Sequence, residues 1–186
     1  MERSDVVKKA ILMFLIVVLL AGFANAQKMA FRISGGPFIP IDQDFKQIYG
    51  NSFQMGGEMN WILSNVVTAR VGVWYLSSVG QMTFTGAETQ LNVWSLDLGV
   101  RFYAPIEWVR PYVGAGMGPS YLREHNEIGT VSDTGIAFIG EAGLLFPFQR
   151  FGLELGGRYS YCTVSPLEEN ANIGGFFIYA GFSYRF

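Results

Sequence analysis

The chain has 186 residues and a formal net charge of -2, from 13 Lys and Arg against 15 Asp and Glu. That balance excludes the basic surface a nucleic-acid-binding protein needs, and one cysteine, Cys162, excludes an internal disulfide. Charged residues make up only 15% of the chain, whereas Gly (23), Phe (16), Tyr (9) and Trp (4) are abundant; the length suits one domain.

The first segment, MERSDVVKK, carries Arg3, Lys8 and Lys9, and Ala10 to Phe23 is unbroken apolar or small. Ala24-Asn25-Ala26 follows. A basic start, an apolar run and an A-x-A end predict a secretory signal peptide over 1–26, cut between small residues Ala24 and Ala26 and the following chain. The alternative, an uncleaved anchor, wants roughly 18 or more apolar residues, and this run is shorter. The predicted mature domain is 27–186.

From there the chain alternates with period two, the strand period. Residues 28–36 set Met29, Phe31 and Ile33 against Arg32 and Ser34. In 51–63, Phe53, Met55, Met59, Trp61 and Leu63 oppose Gln54, Glu58 and Asn60. In 66–76, Val67, Val71, Val73 and Tyr75 oppose Thr68, Arg70 and Trp74. In 91–103, Trp94, Leu96, Leu98, Val100 and Phe102 oppose Asp97 and Arg101. In 108–120, Val109, Val113 and Met117 oppose Gly114, Gly116 and Gly118, and in 135–146, Ile136, Phe138, Leu144 and Phe146 oppose Glu141 and Gly143. In 151–162, Phe151, Leu153, Leu155, Tyr159 and Tyr161 oppose Glu154, Arg158 and Cys162. Finally 173–186 sets Phe176, Ile178, Phe182, Tyr184 and Phe186 against Tyr179, Ser183 and Arg185.

Between these eight strands the connections alternate. Residues 37–50, 77–90, 121–134 and 163–172 are long; 64–65, 104–107 and 147–150 are short. Residues 82–85 (MTFT) could lengthen a strand pair. Long loops alternating with tight turns predict an all-β, eight-stranded antiparallel up-and-down barrel in the outer membrane, with long loops outside and turns in the periplasm. Strands in lipid leave no backbone group unpaired, so the sheet must close. The charged faces then point inward and bring together Arg32, Glu58, Arg70, Asp97, Arg101, Glu141, Glu154, Arg158 and Arg185, predicting an ion-pair network that plugs the lumen. The competing arrangement is a secreted soluble calyx with its apolar faces inside. Trp, Phe, Tyr and Leu from every strand would overfill so narrow an interior.

Three stretches, LNVWSLDLGVRFY (91–103), RPYVGAGMGPSY (110–121) and the terminal YAGFSYRF (179–186), give the chain from residue 27 onward a resemblance to the small outer-membrane β-barrel family: the single-domain porin-family, opacity and OmpA-transmembrane-like group. Gly181-x-x-Tyr184-x-Phe186 resembles that family's C-terminal β-signal, read by the barrel-assembly machinery, with Tyr179 where a polar residue is usual. The resemblance implies residence in the bacterial outer membrane, among its lipid and lipopolysaccharide, but no one activity, since members include adhesins, structural proteins and narrow pores. The peptidoglycan-binding domain of full-length OmpA-type proteins is not expected here.

Other motifs are weaker. GAGMG (114–118) lies in a strand rather than before a helix, so it is not a dinucleotide loop. His125, with Ser120 and Asp133, could form a Ser-His-acid set, the basis for an alternative reading as a lipid-A-modifying enzyme. The expected external acids are Asp42, Asp44, Glu88, Glu124, Glu127, Asp133, Glu168 and Glu169 against Lys46 and Arg123; they suit a hydrated surface, or divalent cations bridging to lipopolysaccharide phosphates. No catalytic residue, cofactor or metal is expected. The leading reading is a non-enzymatic envelope or surface-interaction protein acting through four external loops and any ligand they meet. The other alternative is a narrow pore or transporter for small molecules.

Overall fold

A computed structural model describes residues 28–81, 86–127, 129–165 and 171–186. The expected cleavage site at Ala24 and Ala26, and the expected extension at 82–85, lie outside those residues. The strands are β1 (Met29–Pro40), β2 (Ser52–Ile62), β3 (Val67–Gln81), β4 (Glu88–Tyr103), β5 (Arg110–Asn126), β6 (Gly129–Phe148), β7 (Phe151–Val164), a two-residue β8 (Ala171–Asn172) and β9 (Gly175–Arg185); one helix, α1 (Gln43–Tyr49), lies between β1 and β2. Eight long strands pair antiparallel in chain order, and β1 pairs with β9, Phe31 opposite Tyr184 and Ile33 opposite Phe182, which closes the ring. No long edge is left open to aggregation or to lipid. Pro37 and Pro119, each without an N–H, sit where the β1–β9 and β4–β5 ladders skip a pair of residues.

Period two sets the two faces. Phe53, Met55, Leu96, Val113, Phe138, Leu155 and Ile178 are exposed on the outside, while Arg32, Glu58, Arg70, Asp97 and Arg101 are buried in the lumen. The tight turns are built locally: Ser64 Oγ accepts from the N–H groups of Val66 and Val67 at 3.3 and 3.1 Å, and Gln149 adopts φ 53° in the two-residue turn to Arg150. These turns share one end of the barrel with Met29 and Arg185; the longer connections share the other.

At that second end the structure departs from the expected loops. β5 and β6 stay paired from Arg110–Leu145 out to Asn126–Gly129, so 121–134 is a hairpin rather than a loop. β3 and β4 likewise stay paired out to Gln81–Glu88. Ladder hydrogen bonds need only backbone groups, so pairing continues past the point where side-chain alternation fades. The segment 37–50 is likewise not all loop. β1 runs on to Pro40, and then Asp42 caps α1, accepting from Asp44 N at 3.1 Å and Phe45 N at 3.0 Å. Gly50, at φ 63°, ends the helix.

Phe45 and Tyr49, one turn apart on α1, drop into the top of the lumen. The Tyr49 carbonyl accepts from Ser78 Oγ at 3.0 Å, and a Cβ on Gly80 would stand 2.3 Å from the Ile48 carbonyl oxygen, so only glycine admits the helix this close. Burial there pushes the Tyr49 phenol well above its ordinary pKa. Beneath α1 the interior is apolar: Phe38, Trp74, Leu76, Leu91, Val93, Leu122, Val164, Ile173 and Phe177 form one buried cluster. The lumen thus has two storeys, a greasy one under α1 and a charged one toward the turns.

Candidate functional site

The lower storey is a single connected ion-pair lattice. Arg32 of β1 donates to Glu58 of β2 at 2.6 Å and to Glu154 of β7. Arg101 of β4 binds Glu58 through Nη1 at 2.6 Å and Glu141 of β6 through Nε at 2.6 Å and Nη2 at 2.9 Å. Arg70 of β3 pairs with Asp97 at 2.6 Å and with Glu141 at 2.9 Å, and reaches Glu58 at 3.7 Å. Arg158 of β7 pairs with Asp97 at 2.5 Å. All eight of these residues are buried. Buried charges persist when each has partners of opposite sign with good geometry, and here four guanidinium groups alternate with four carboxylates across the full width of the barrel.

Neutral groups complete the lattice. Trp74 donates its indole N–H to Asp97 Oδ2 at 2.7 Å, and Arg158 stacks on the same indole at 4.5 Å from its centroid. Tyr112 donates to Glu154 at 3.2 Å and shares a 2.6 Å hydrogen bond with Tyr179. Arg32 lies 5.1 Å over Tyr179 and Arg101 5.0 Å over Tyr112. These aromatics were not expected as members of the network; their signal in the sequence is an indole or phenol on a strand face that otherwise carries charge.

β5 supplies no charged residue to the lattice; its part is to leave space. A Cβ on Gly116 would fall 2.6 Å from the Leu98 carbonyl oxygen and 3.1 Å from Arg70 Nη2; one on Gly114 would fall 2.7 Å from Glu141 Oε1. The GAGMG stretch therefore packs guanidinium groups, and β5 runs straight through it with no helix following. Two small spaces in the lumen lie beside the lattice, one of about 30 Å³ lined by Arg158 and one of about 50 Å³ lined by Glu154.

Arg185 departs from the expectation. It is half-buried at the turn end and makes no ion pair among the described residues. Its inward face follows from strand parity, but its position at the rim puts it below the lattice. Gly181 faces the lumen beside Ser34, Tyr184 packs on Phe151 at 5.3 Å and on Phe186 at 5.1 Å, and Phe186 is exposed. Ser120, His125 and Asp133 do not come together. Ser120 faces inward and shares a 2.8 Å hydrogen bond with Ser95, exposed His125 is bonded to Thr130 at 2.8 Å, and Asp133 accepts from the N–H groups of Thr134 and Ser165. Among the described residues no three His, Cys, Asp or Glu side chains cluster as metal ligands would.

A closed ring of eight antiparallel strands, apolar outside and charged within, defines an outer-membrane β-barrel. Solved structures agree. Neisserial surface protein A aligns with a TM-score of 0.64 and 15% identity, covering 86% of this chain and 97% of that one. The N-terminal barrel of Pseudomonas aeruginosa OprF aligns at 0.55 and 18% identity (86% and 97% covered), and the attachment invasion locus protein Ail of Yersinia pestis at 0.56 and 16% (86% and 98% covered). A search of curated protein sequences finds no match. The family model described as outer membrane protein beta-barrel domain matches residues 10–186, and the chain belongs to that family.

Proposed function

We propose that this chain is a non-enzymatic outer-membrane barrel with a closed lumen, whose role, in envelope structure or surface interaction, is exercised by the face at its long-connection end. The observation that carries this reading is the lattice of eight buried charges bridging the lumen from β1 to β7. An ion crossing it would have to break several charge-assisted bonds at once. Planar-bilayer recordings test the proposal: the protein gives little steady current, and Arg70→Ala or Glu154→Ala raises it. Steady conductance of the unaltered barrel overturns the reading. Lipid A that keeps its mass when the gene is expressed is the expected result for a barrel without lipid-modifying activity.

The surface offered to partners is acidic: Asp42, Asp44, Glu88, Glu124, Glu127 and Asp133 face only Lys46 and Arg123 among the described residues. Ail has been solved with the heparin analogue sucrose octasulfate. The charge here has the wrong sign for such a polyanion, and favours a cationic partner. On β9, we read Gly181, Tyr184 and Phe186 as the signal for barrel assembly; Phe186→Ala then lowers the heat-modifiable fraction in membranes.

A further inference from the structure

The turn end of the barrel has the opposite character. Arg110 opens β5, Arg150 sits in the β6–β7 turn and Arg185 ends β9, so three separate elements bring three guanidinium groups to one place. All three line the cavity of about 50 Å³ at the lumen mouth, and Arg110 and Arg185 also line an adjoining open groove of about 310 Å³ along Pro105, Ile106 and Pro147. None makes an ion pair among the described residues, although the four arginines of the lattice above are all paired. Two side-chain carboxylates line these spaces. Glu107 lines the groove, and Glu154 borders the cavity from above but is already held by Arg32 and Tyr112.

One arginine is fixed in advance. Arg110 donates to the Asn65 carbonyl oxygen and stacks 4.9 Å over the Tyr103 ring. Arg150 and Arg185 hold their backbones to each other, Arg185 N donating to the Arg150 carbonyl at 2.7 Å, which keeps both side chains at this mouth. The depth of the cluster is marked by exposed aromatics: Trp108 lies two residues before Arg110, Phe148 two before Arg150 and Phe186 directly after Arg185. Aromatic side chains of this kind settle at the level of lipid headgroups. Unpaired positive charge therefore sits at headgroup depth, beside a groove where Pro105, Ile106 and Pro147 stand next to Asn65 and Glu107.

We propose that Arg110, Arg150 and Arg185 form a binding site for the phosphodiester headgroup of an anionic phospholipid in the periplasmic leaflet. Guanidinium groups match phosphate oxygens in pairs. The small cavity accepts the phosphate, and Pro105, Ile106 and Pro147 lie against the glycerol and upper acyl chains. The acidic external face, at the other end, gives the same lipid no comparable purchase.

The test uses the barrel extracted from membranes and placed in nanodiscs of phosphatidylcholine and phosphatidylglycerol in equal parts. Spin-labelled lipids report the relative association of the two headgroups with the protein. The unaltered barrel prefers phosphatidylglycerol, and high salt weakens the preference. Arg150→Gln and Arg185→Gln each lower the ratio about fivefold, and together they lower it further to the share that Arg110 holds, whereas Arg123→Gln at the other end leaves it unchanged. Heat-modifiable gel mobility confirms that each variant is folded. Because Arg150 and Arg185 make no side-chain bond among the described residues, both can be changed without disturbing the lattice. A ratio of one in the unaltered barrel overturns the proposal, as does a preference that the double substitution leaves unchanged. Full loss of the preference on adding inorganic phosphate at equal charge overturns the lipid assignment and leaves a site for free oxyanions.

Discussion

Arg101 and Glu141 meet as a two-pronged fork, Nε to Oε1 at 2.6 Å and Nη2 to Oε2 at 2.9 Å, between strands that are not neighbours in the ring. The fork ties β4 to β6 across the space left by the glycines of β5. Replacing Arg101 with Met leaves Glu141 with Arg70 alone and takes one arginine from Glu58 in a dry interior, at a cost of about 3–5 kcal/mol. The double variant Arg101→Met, Glu141→Gln recovers part of that loss, with a coupling of roughly 0.5–3 kcal/mol. Urea unfolding of the refolded barrel in lipid vesicles measures both quantities. Strictly additive losses would mean the two side chains do not act together.

Glycine in the lumen and glycine on the lipid face respond differently to a methyl group. Gly116→Ala presses on the Leu98 carbonyl and Arg70, whereas a Cβ on Gly140 meets nothing within 4 Å. The expected loss is about 1–3 kcal/mol for Gly116→Ala and close to none for Gly140→Ala, read as a shift of the urea midpoint. Equal shifts would argue against tight packing around Arg70.

The outward face is tested by Leu98, which lies between Leu96 and Val100 on β4, level with Asp97 and Arg101 behind it. Leu98→Arg destabilises the membrane-inserted barrel by about 2–4 kcal/mol if that level is the bilayer midplane. A neutral result in the same unfolding assay would move the membrane along the barrel axis.

Asp42→Ala removes the acceptor for two N–H groups at the start of α1. The loss, about 0.5–2 kcal/mol, is local. Amide exchange across 43–49 quickens while exchange in β3 and β4 stays as it was. Unfolding of the whole barrel on this substitution would show that α1 holds the strands together, not merely the top of the lumen.

Much of this architecture is legible in the sequence because period two carries the physics directly. Arg32 beside Ile33, or Asp97 between Leu96 and Leu98, can satisfy both lipid and lumen in only one register. Period gives the face of a strand but not its depth, which is why Arg185 reads like Arg101 yet stands at the rim. The strand ends are blurred for a related reason. Around Leu76, Leu91 and Val93 the inward face turns apolar, because the upper lumen is greasy, while Ser77, Gln90 and Asn92 stand on the outward face, so the apolar-out rule of the lower barrel fails while the ladder continues. Helix α1 leaves a faint trace: Asp42 as a cap, then Phe45, Ile48 and Tyr49 at helical spacing, in a segment too short for periodicity to stand out.

The unequal strand lengths shape what an approaching molecule would touch. A strand crosses the hydrocarbon with about 9–11 residues; β1 and β2 have 12 and 11, whereas β5 and β6 have 17 and 20. At roughly 3.4 Å per residue, the β5–β6 ribbon stands well clear of the bilayer on one side, while the other side stays low. Among the described residues the crown is therefore a sloping parapet whose raised side is the paired β5–β6 ribbon. A visitor of matching shape would find it already standing and lose little freedom in setting it in order.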